Sequence, residues 1–374
     1  MQEDLREIAA RFLPVSPGEL NVLPIESGLI NRTFLVQTRA GERYVLQRVN
    51  HHVFPNPDAI AANVEHVNAR LAESGYPLER VHFFKTQTGA YHHYDPEGWP
   101  WRLVSHVPDS ATYDKARTPE RAREGARAFS LFYRHLNVGS GSLPLTPAIP
   151  DFINFRKRIA DYRAALQERR NYATQNSKPN TQNWLPERRK RAAALIALVQ
   201  PHLDLPEKWI EWQEAGLFPM RVIHADPKIS NVLFHETRHT ARAVIDLDTV
   251  MPGTLLYDFG DMARSYANTT AEDDASEPAP FSPELYRATR EGFLSQLSDV
   301  LEPIELENLD YSAQVVVLIQ CLRFLTDYLQ GDVYYRVVRQ EQNLERAVNQ
   351  FRLLGGMRAS SILWHKKSGA QTPG

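Results

Sequence analysis

The sequence predicts an α+β fold in which an antiparallel β-sheet lobe is followed by a larger, mainly helical lobe. Three observations predict it. A chain of 374 residues has room for about two domains. Short β-rich runs separated by turn-forming residues fill roughly the first hundred residues, and helical periodicity dominates the remainder. We place the boundary at "SHVPDS" (105–110), so the predicted domains are 1–104 and 105–374.

The elements of the first lobe are predicted from strand runs and one apolar helix face. After a short opening helix, "NVLPIESGLINRTFLVQT" contains two strands flanking Gly28, and "RYVLQRVN" supplies a third after Gly41, which makes an antiparallel meander. A helix follows from about Asp58 to Ala72, because apolar residues recur at helical spacing at Ile60, Val64, Val67 and Leu71. Strands in "VHFFKTQTGAYHHY" and "WRLVSHV" complete the lobe.

The second lobe is predicted to be mostly helical. Helical patterns fill three long segments at about 118–137, 151–170 and 185–200. The acidic stretch "TTAEDDASEPAP" is expected to be a surface loop. The "SPEL" that follows it predicts a helix start, with Ser282 as the N-cap and Pro283 at the first helical position.

Composition and charge favour small-molecule chemistry. The chain is 43% apolar and 24% charged, and its formal charge of -2 gives no reason to expect nucleic acid or an anionic membrane as partner. Its single cysteine, Cys321, cannot form an internal disulfide. The N-terminus does not resemble a secretory signal, and no run reaches the ~18 apolar residues of a membrane span. We therefore expect a cytoplasmic protein that acts on a small molecule.

One short loop carries the residue types that phosphoryl transfer needs. In "HADPKISN", Asp226 follows His224 by two residues and precedes Asn231 by five, which is the spacing of a kinase catalytic loop. We predict Asp226 and Lys228 as catalytic residues, the first as the base that accepts the proton of the attacking hydroxyl and the second as a cation near the transferred group. His224 is expected to be a buried imidazole hydrogen-bonded to the loop backbone.

Two aspartates compete for the role of metal ligand beside Asn231. Asp246 ends the strand "ARAVID", 15 residues past Asn231, whereas Asp258 in "YDFG" lies 27 residues past it, beyond a Pro-Gly turn. Oxygen ligands on a loop and a strand end suit Mg²⁺. We predict that Asn231 and Asp246 bind the metal and that Asp258 is structural. For Asp248, a role in holding an ion or a substrate hydroxyl and a hydrogen-bonding role in the turn both stay open.

These stretches resemble a known family. The blocks "GLINRTFLV", "RYVLQRVN", "WRLV", "HADPKISN", "VIDLDTVMPG", "YDFGD", "RFLTDYLQGDVYY" and "NLERAVNQ" are similar, in the same order, to those of N-acetylhexosamine 1-kinases within the aminoglycoside phosphotransferase (choline kinase-like) superfamily. The resemblance implies a bilobal protein-kinase-like fold with an N-terminal nucleotide-binding lobe and a C-terminal catalytic and substrate lobe. It also implies ATP and Mg²⁺ as cofactors and a sugar hydroxyl, including the anomeric one of an N-acetylhexosamine, as acceptor.

The resemblance also assigns binding residues. It implies that the cofactor is contacted by the glycine loop, the third strand and the hinge, at Gly28, Asn31, Gln47, Arg48, Val104 and His106. It places Arg323 and Tyr334 against the sugar, together with Asp226. From the residues alone, Arg323 could instead form an (i, i+4) salt bridge with Asp327, and Tyr334 could be ordinary aromatic packing.

The chain departs from the family pattern in ways that bear on the substrate. Ser27 and Leu29 stand where these kinases have an acid and a histidine, and "FINFR" (152–156) lacks another histidine. The lysine of the third strand is also missing. Either Gln47 or Arg48 could take its place, and charge favours Arg48, which could also pair with Glu65 on the following helix.

Three functions are therefore compared. The leading hypothesis is an ATP-dependent sugar kinase. The second is a kinase of another alcohol, such as an amino alcohol, homoserine or an aminoglycoside, for which "TAEDDASE" is the one evident acidic loop. The third is a nucleotide-binding pseudokinase, which the missing lysine suggests but the retained catalytic loop opposes.

Overall fold

The structure is a computed structural model, and it describes residues 3–25, 30–139, 141–167, 184–276 and 278–360. Gly28, Ser27 and Leu29, for which the sequence predicts a phosphate-covering loop and a change in the acceptor site, lie outside these ranges.

The first lobe is built on one antiparallel sheet. Its six strands are β1 (Leu20–Ile25), β2 (Arg32–Thr38), β3 (Arg43–Arg48), β4 (Phe83–Phe84), β5 (His93–Tyr94) and β6 (Pro100–Ser105). The order is β1-β2-β3-β6-β4, and β5 pairs with the same strand β6. The predicted meander and the later strand pairing are therefore confirmed.

Alternation along these strands gives the sheet a core face, which packs on the opening helix. Helix α1 (Leu5–Ala10) is capped by the side chain of Asp4. One apolar cluster joins the opening segment to the inward-facing side of the sheet. The opening segment contributes Ile8 and Phe12, and the strands contribute Leu20, Val36, Leu46, Trp101 and Leu103. Helix α2 (Pro57–Glu73) packs on the larger apolar core that it shares with the second lobe, and its buried positions include all four residues on which the helix was predicted.

The second lobe is a helical assembly around one long buried helix. Its helices are α3 (Pro119–Asn137), α4 (Phe155–Gln167), α5 (Trp184–Val199), α6 (Asp204–Glu214), α7 (Leu255–Tyr266), α8 (Pro283–Leu294), α9 (Pro303–Glu307), α10 (Leu309–Gln330) and α11 (Gln342–Ala359). By length and composition α10 alone among the described helices could cross a membrane, yet 72% of its most apolar window is buried within the protein. That is the burial of a core helix.

Short strands in the second lobe frame two loops. They are β7 (Ser110–Ala111), β8 (Arg221–Ile223), β9 (Val232–His235), β10 (Ala241–Val244) and β11 (Met251–Gly253). β9 pairs with β7 and β10, and β8 pairs with β11, all antiparallel. The "HADPKISN" loop runs from β8 to β9, and the "IDLD" turn runs from β10 to β11, so the pairing brings the two loops side by side.

The helix predictions agree with the structure apart from their ends. The second predicted helix begins at Phe155, four residues later than expected, because Asp151 has a positive φ of 55° that no helix accommodates. Ser282 is the N-cap predicted for α8, and its hydroxyl accepts a hydrogen bond from the backbone N–H of Leu285. The domain boundary at residue 105 stays a prediction.

Candidate active site

The "HADPKISN" loop has a tightly held backbone. Ala225 adopts a left-handed conformation with φ 64°, which turns the chain sharply after β8. The N–H of Lys228 then donates to the carbonyl of Asp226 at 2.9 Å, and the N–H of Asn231 donates to the carbonyl of Lys228 at 2.9 Å. These short-range hydrogen bonds orient the loop side chains toward one another.

The Asp226 carboxylate lies at the centre of the loop. It accepts hydrogen bonds from the Lys228 ammonium at 2.7 Å and from the Asn231 amide at 3.1 Å, while 27% of its side chain stays exposed. Burial opposes its ionisation, but the Lys228 ammonium and the Asn231 amide outweigh burial and hold the pKa of Asp226 below its ordinary value. The carboxylate is therefore ionised at neutral pH and partly open to a ligand.

Lys228 forms an ion pair with Asp226 and is influenced by the charge of Asp246. Burial opposes its charge, but Asp226 and Asp246 raise the pKa of Lys228 above its ordinary value. The ammonium therefore stays charged.

Asp246 is the exposed aspartate of the "IDLD" turn. It adopts a left-handed conformation, φ 62° and ψ 54°, which is uncommon outside glycine but tolerated by Asp. The preceding N–H, of Ile245, donates to the carbonyl of Asn231 at 2.9 Å and so holds the turn against the loop. The residue is exposed, yet desolvation by the surrounding protein and the neighbouring Asp248 raise the pKa of Asp246 to about 6.

The donor set on these two loops suits a hard divalent cation. The Nδ2 of Asn231 donates to the carbonyl and the carboxylate of Asp226, which leaves its Oδ1 available as a ligand. The described residues contain no cluster of three His, Cys, Asp or Glu side chains that would form an all-protein cage. One amide oxygen and one or two carboxylates fit Mg²⁺, which keeps several waters and phosphate oxygens as its other ligands.

Asp258, the rival from "YDFG", has a different environment. It is fully buried in the first turn of α7 and accepts hydrogen bonds from the N–H of His224 at 2.7 Å and of Ala225 at 3.0 Å. The hydroxyl of Tyr133 donates to it at 2.6 Å. Burial raises the pKa of Asp258 to about 7 against the effect of these donors. Its contacts agree with the structural role predicted for it, because they hold the backbone of the "HADPKISN" loop.

His224 is buried, as expected, and it joins the two loops. One ring nitrogen, Nε2, lies 3.0 Å from the carbonyl of Ile245, and the other, Nδ1, accepts from the N–H of Asp226 at 3.3 Å. Burial lowers the pKa of His224 below its ordinary value, so the imidazole is neutral. The hydroxyl of Thr249 donates to the carbonyl of His224 at 2.8 Å and adds a second link between the loops.

Asp248 is occupied by a buried ion pair. Its two oxygens accept from the guanidinium of Arg102 at 2.6 and 2.9 Å, and Asn31 donates to one of them at 3.3 Å. Both side chains of the ion pair are at most 2% exposed. These contacts favour the hydrogen-bonding alternative for Asp248 over contact with a substrate.

The two residues that could replace the missing strand lysine face opposite ways. The side-chain oxygen of Gln47 accepts from the Nε of Arg102 at 2.9 Å, so Gln47 joins the ion pair with Asp248. Arg48 lies over the ring of Trp99, 4.4 Å from its centroid. The considered pairing of Arg48 with Glu65 is wrong, because Glu65 instead meets Tyr91 and Lys85. These contacts do not support the charge-based preference for Arg48.

The hinge residues border an apolar cluster between the lobes. The buried members of this interlobe cluster are Val81, Val104, Val107 and Ala243. Half-buried side chains from both lobes pack on it, namely Val45, Phe83, Leu233 and Ile245. Val104 is therefore a buried member of this packed cluster, and His106 is half-buried just beyond it.

Arg323 does not form the predicted alternative salt bridge with Asp327. Asp327 instead accepts from the backbone N–H groups of residues 333–335 and from the Asn343 amide. Arg323 lies among three aromatic rings, and Tyr334, which is 57% exposed, is one of them. The intrahelical pair is wrong because the chain reversal after α10 takes both oxygens of Asp327.

Two functional contacts were missed from the sequence. Tyr133 holds Asp258 from α3, and nothing in its helix marks it. For Arg102 the sequence does contain an indication, because it is the one charged residue in the apolar strand "WRLV". A buried arginine requires an acceptor, so this position predicts a buried ion pair. That signal does not identify the acceptor, which lies 146 residues away.

Comparisons with known proteins agree with this architecture. Residues 21–293 match the family model described as APH, phosphotransferase enzyme family. The chain is similar to a microcompartment-associated aminopropanol kinase, at 16% identity and a TM-score of 0.62 over 96% of this chain and 98% of that one. It is similar to a spectinomycin phosphotransferase solved with ADP and spectinomycin, at 12% identity and a TM-score of 0.59 over 96% and 98%. It is also similar to an aminoglycoside phosphotransferase from Alicyclobacillus acidocaldarius, at 14% identity and a TM-score of 0.54 over 96% and 97%. At these identities the solved structures show the fold alone, and the predicted fold class is confirmed.

Proposed function

We propose, on the premise that this chain belongs to the phosphotransferase enzyme family, that it transfers the γ-phosphoryl group of ATP to a hydroxyl of a sugar. The predicted superfamily is confirmed by this membership, whereas the likeness to N-acetylhexosamine 1-kinases stays a prediction. The observation that carries the proposal is the ionised Asp226 carboxylate, held by Lys228 and Asn231 beside the exposed Asp246.

Asp226 acts on the acceptor. Its carboxylate accepts the hydrogen bond of the attacking hydroxyl and takes up its proton as the new oxygen–phosphorus bond forms and the bond from the γ-phosphorus to the ADP oxygen breaks. A low pKa suits this task, because the transition state of phosphoryl transfer is loose and demands positioning more than a strong base. Lys228 keeps the carboxylate ionised and places a positive charge near the transferred group.

Asn231 and Asp246 are the residues that would hold Mg²⁺ with the nucleotide. When bound there, the metal supplies neutralisation of charge on the phosphates. On the nucleotide side, we propose that adenine packs on the interlobe cluster at Val104 beside His106. Asn31, Gln47 and Arg48 stay proposed as contacts of the nucleotide, and so does Gly28.

For the acceptor, we propose a sugar instead of an amine. Arg323 and Tyr334 supply a hydrogen-bond donor and a half-exposed ring, which suit a hydroxylated ring. Two fold neighbours are named for amine substrates, aminopropanol and spectinomycin. In this chain, however, Glu272 and Asp273 of the acidic loop pair with Arg264 and Arg339. We therefore place a cationic acceptor second, and we expect the protein to work in the cytoplasm.

The test is Asp226→Asn, assayed by ADP release with Mg²⁺-ATP and a panel of sugars and amino alcohols. Loss of the base and of the ion pair with Lys228 should lower kcat about 10²-fold or more. Asp299→Asn is the matched control, because Asp299 forms an exposed ion pair with Arg134 far along the chain. A purified Asp226→Asn protein with near wild-type turnover would contradict the proposal.

A further inference from the structure

Two arginines of the acceptor side converge on one aromatic residue. They are Arg158 on α4 and Arg323 on α10, and they meet at Phe152. The guanidinium carbon of Arg323 lies 5.5 Å from the centre of the Phe152 ring. One terminal nitrogen of Arg158 donates to the carbonyl of Phe152 at 3.1 Å and to that of Asp151 at 3.0 Å. We call Phe152, Arg158, Arg323, Tyr334 and Tyr335 the arginine cluster.

Arg323 has a charge that the described residues do not neutralise. Its hydrogen-bond acceptor is the side-chain oxygen of Gln320, at 3.1 Å. Beyond the Phe152 ring, the rings of Tyr334 and Tyr335 lie 5.8 and 5.7 Å from its guanidinium carbon. In the described ranges no carboxylate lies within 4 Å of it, although a guanidinium has five N–H donors that fit a carboxylate or phosphate.

Arg158 adds a second unsatisfied donor. Its side chain is 15% exposed, and its Nε is buried with no hydrogen-bond partner among the described residues. Burial and the nearby Arg323 lower the pKa of Arg158. Two like charges held together at a half-buried site repel each other, and a buried donor without an acceptor is rare in folded proteins.

The nearest acids are engaged elsewhere. Asp161 contacts Arg158 only at 4.0 Å and pairs with Lys157 at 2.9 Å. Asp261, which faces Arg323 from α7, pairs with Arg264 at 2.7 Å. The arginine cluster is therefore left with an excess of positive charge.

The cluster is joined to the "HADPKISN" loop by α7. This helix packs along α10, its Tyr257 ring lies 5.9 Å from that of Phe155, three residues after Phe152, and its Asp258 accepts hydrogen bonds from the backbone of residues 224 and 225. An acceptor whose hydroxyl reaches Asp226 can therefore extend toward the arginines. Arg323 and both tyrosines lie beyond residues 21–293 of the family match, in a part of the chain that the shared chemistry does not specify.

We propose that the acceptor of this enzyme is an anionic sugar, whose carboxylate or phosphate group is bound between Arg158 and Arg323. This inference rests on the proposed function and narrows its substrate class. A bidentate anion would supply Arg323 with a counter-charge and offset the repulsion between the two like charges. A neutral sugar would leave the repulsion in place, and an amine would add to it.

The experiment compares four matched acceptors in the full-length protein with Mg²⁺-ATP. They are glucose, glucosamine, glucuronate and glucose 6-phosphate, and kcat/KM is measured for each by ADP release. Binding is measured separately, as thermal stabilisation of the protein with Mg²⁺ and a non-hydrolysable ATP analogue. We expect kcat/KM for at least one of the two anionic sugars to exceed that for glucose and for glucosamine by ~10-fold or more. Comparison of glucuronate with glucose 6-phosphate shows whether a carboxylate or a phosphate is recognised.

Arg158→Gln and Arg323→Gln should each remove that preference, because each should raise KM for the anion ~10-fold or more above any rise in KM for glucose. Arg323→Lys, which keeps the charge, should restore part of it. Arg156→Gln is the control, because Arg156 lies on the same helix in an exposed ion pair with Glu214. The inference would be overturned if glucose or glucosamine were bound and phosphorylated as well as, or better than, both anionic sugars. It would also be overturned if neither anion stabilised the protein against heat. A uniform loss for all acceptors in both variants would do so too. None of these outcomes touches the role of Asp226, which its own variant tests.

Discussion

Asp246 and Asp258 lie 12 residues apart and have opposite environments. Asp246 is exposed, in a left-handed turn against the catalytic loop. Asp258 is fully buried, and backbone N–H groups and a tyrosine hydroxyl surround it. The difference teaches that a short motif such as "DFG" does not determine the role of its aspartate. A ligand site needs unsatisfied oxygens, whereas a scaffold site uses them all.

The largest effect is expected when the scaffold aspartate is altered. Asp258→Asn offers one oxygen and turns an amide toward backbone N–H groups, so at least one buried donor of residues 224 and 225 loses its acceptor. We expect the free energy of unfolding to fall by about 2–6 kcal/mol, since the orphaned N–H and the new amide are two unsatisfied buried groups that cost about 1–3 kcal/mol each. Urea denaturation measures it. A loss below about 1 kcal/mol would mean that the two aspartates are not as different as their contacts indicate.

The next effect is catalytic. Asp246→Asn removes the exposed carboxylate that is proposed to bind the metal, without orphaning any protein donor. We expect kcat to fall about 10²-fold or more, which corresponds to about 2.7 kcal/mol of barrier, while the free energy of unfolding changes by less than about 0.5 kcal/mol. Steady-state ADP release and urea denaturation on the same preparation separate the two quantities. Wild-type turnover would remove Asp246 from the metal site.

A smaller effect concerns the third aspartate of this region, Asp248. Its ion pair with Arg102 joins the sheet lobe to the "IDLD" turn, and both partners are buried. Each single change to an apolar residue therefore leaves a buried charge without its partner. Arg102→Met and Asp248→Leu should each destabilise the protein, and the double variant should recover about 1–3 kcal/mol of their summed loss. We expect the double variant to fold yet show a higher KM for Mg²⁺-ATP, because the turn loses its link to the sheet. Additive losses would show that the two residues do not act as a pair.

The smallest effect is expected at Arg48, which lies over Trp99 and away from the ion pair. Arg48→Gln should cost about 0.5–1 kcal/mol of stability through the lost cation–π contact and change KM for ATP by less than ~3-fold. Gln47→Ala, which removes the acceptor for Arg102, should raise that KM more. The reverse ranking would restore Arg48 as the substitute for the missing lysine.

The parts of the molecule that local chemistry determines could be predicted from the sequence. The meander, the helix face of α2 and the Ser282 cap depend on residues close in the chain. The loop around Asp226 could be recognised because Lys228 and Asn231, which contact Asp226, lie only two and five residues after it. The prediction that Asp246, and not Asp258, binds the metal also used only local information, namely the distance of each aspartate from Asn231 along the chain.

Contacts between distant segments could not be predicted. The Arg102–Asp248 ion pair joins residues 146 positions apart, and either residue alone is compatible with several partners. Arg323 shows that a correct local spacing can also give a wrong contact. Its helical spacing to Asp327 was correct, but the backbone after α10 competes for the carboxylate and wins with three N–H donors.

The most direct test of the central claim is a Mn²⁺ titration followed by electron paramagnetic resonance, with a non-hydrolysable ATP analogue present. It is run on the wild type, Asp246→Asn and Asp258→Asn at a temperature where all three are folded. We predict that Asp246→Asn weakens Mn²⁺ binding by ~10-fold or more, while Asp258→Asn changes it by less than ~3-fold. Loss of Mn²⁺ binding in Asp258→Asn with wild-type binding in Asp246→Asn would contradict the account.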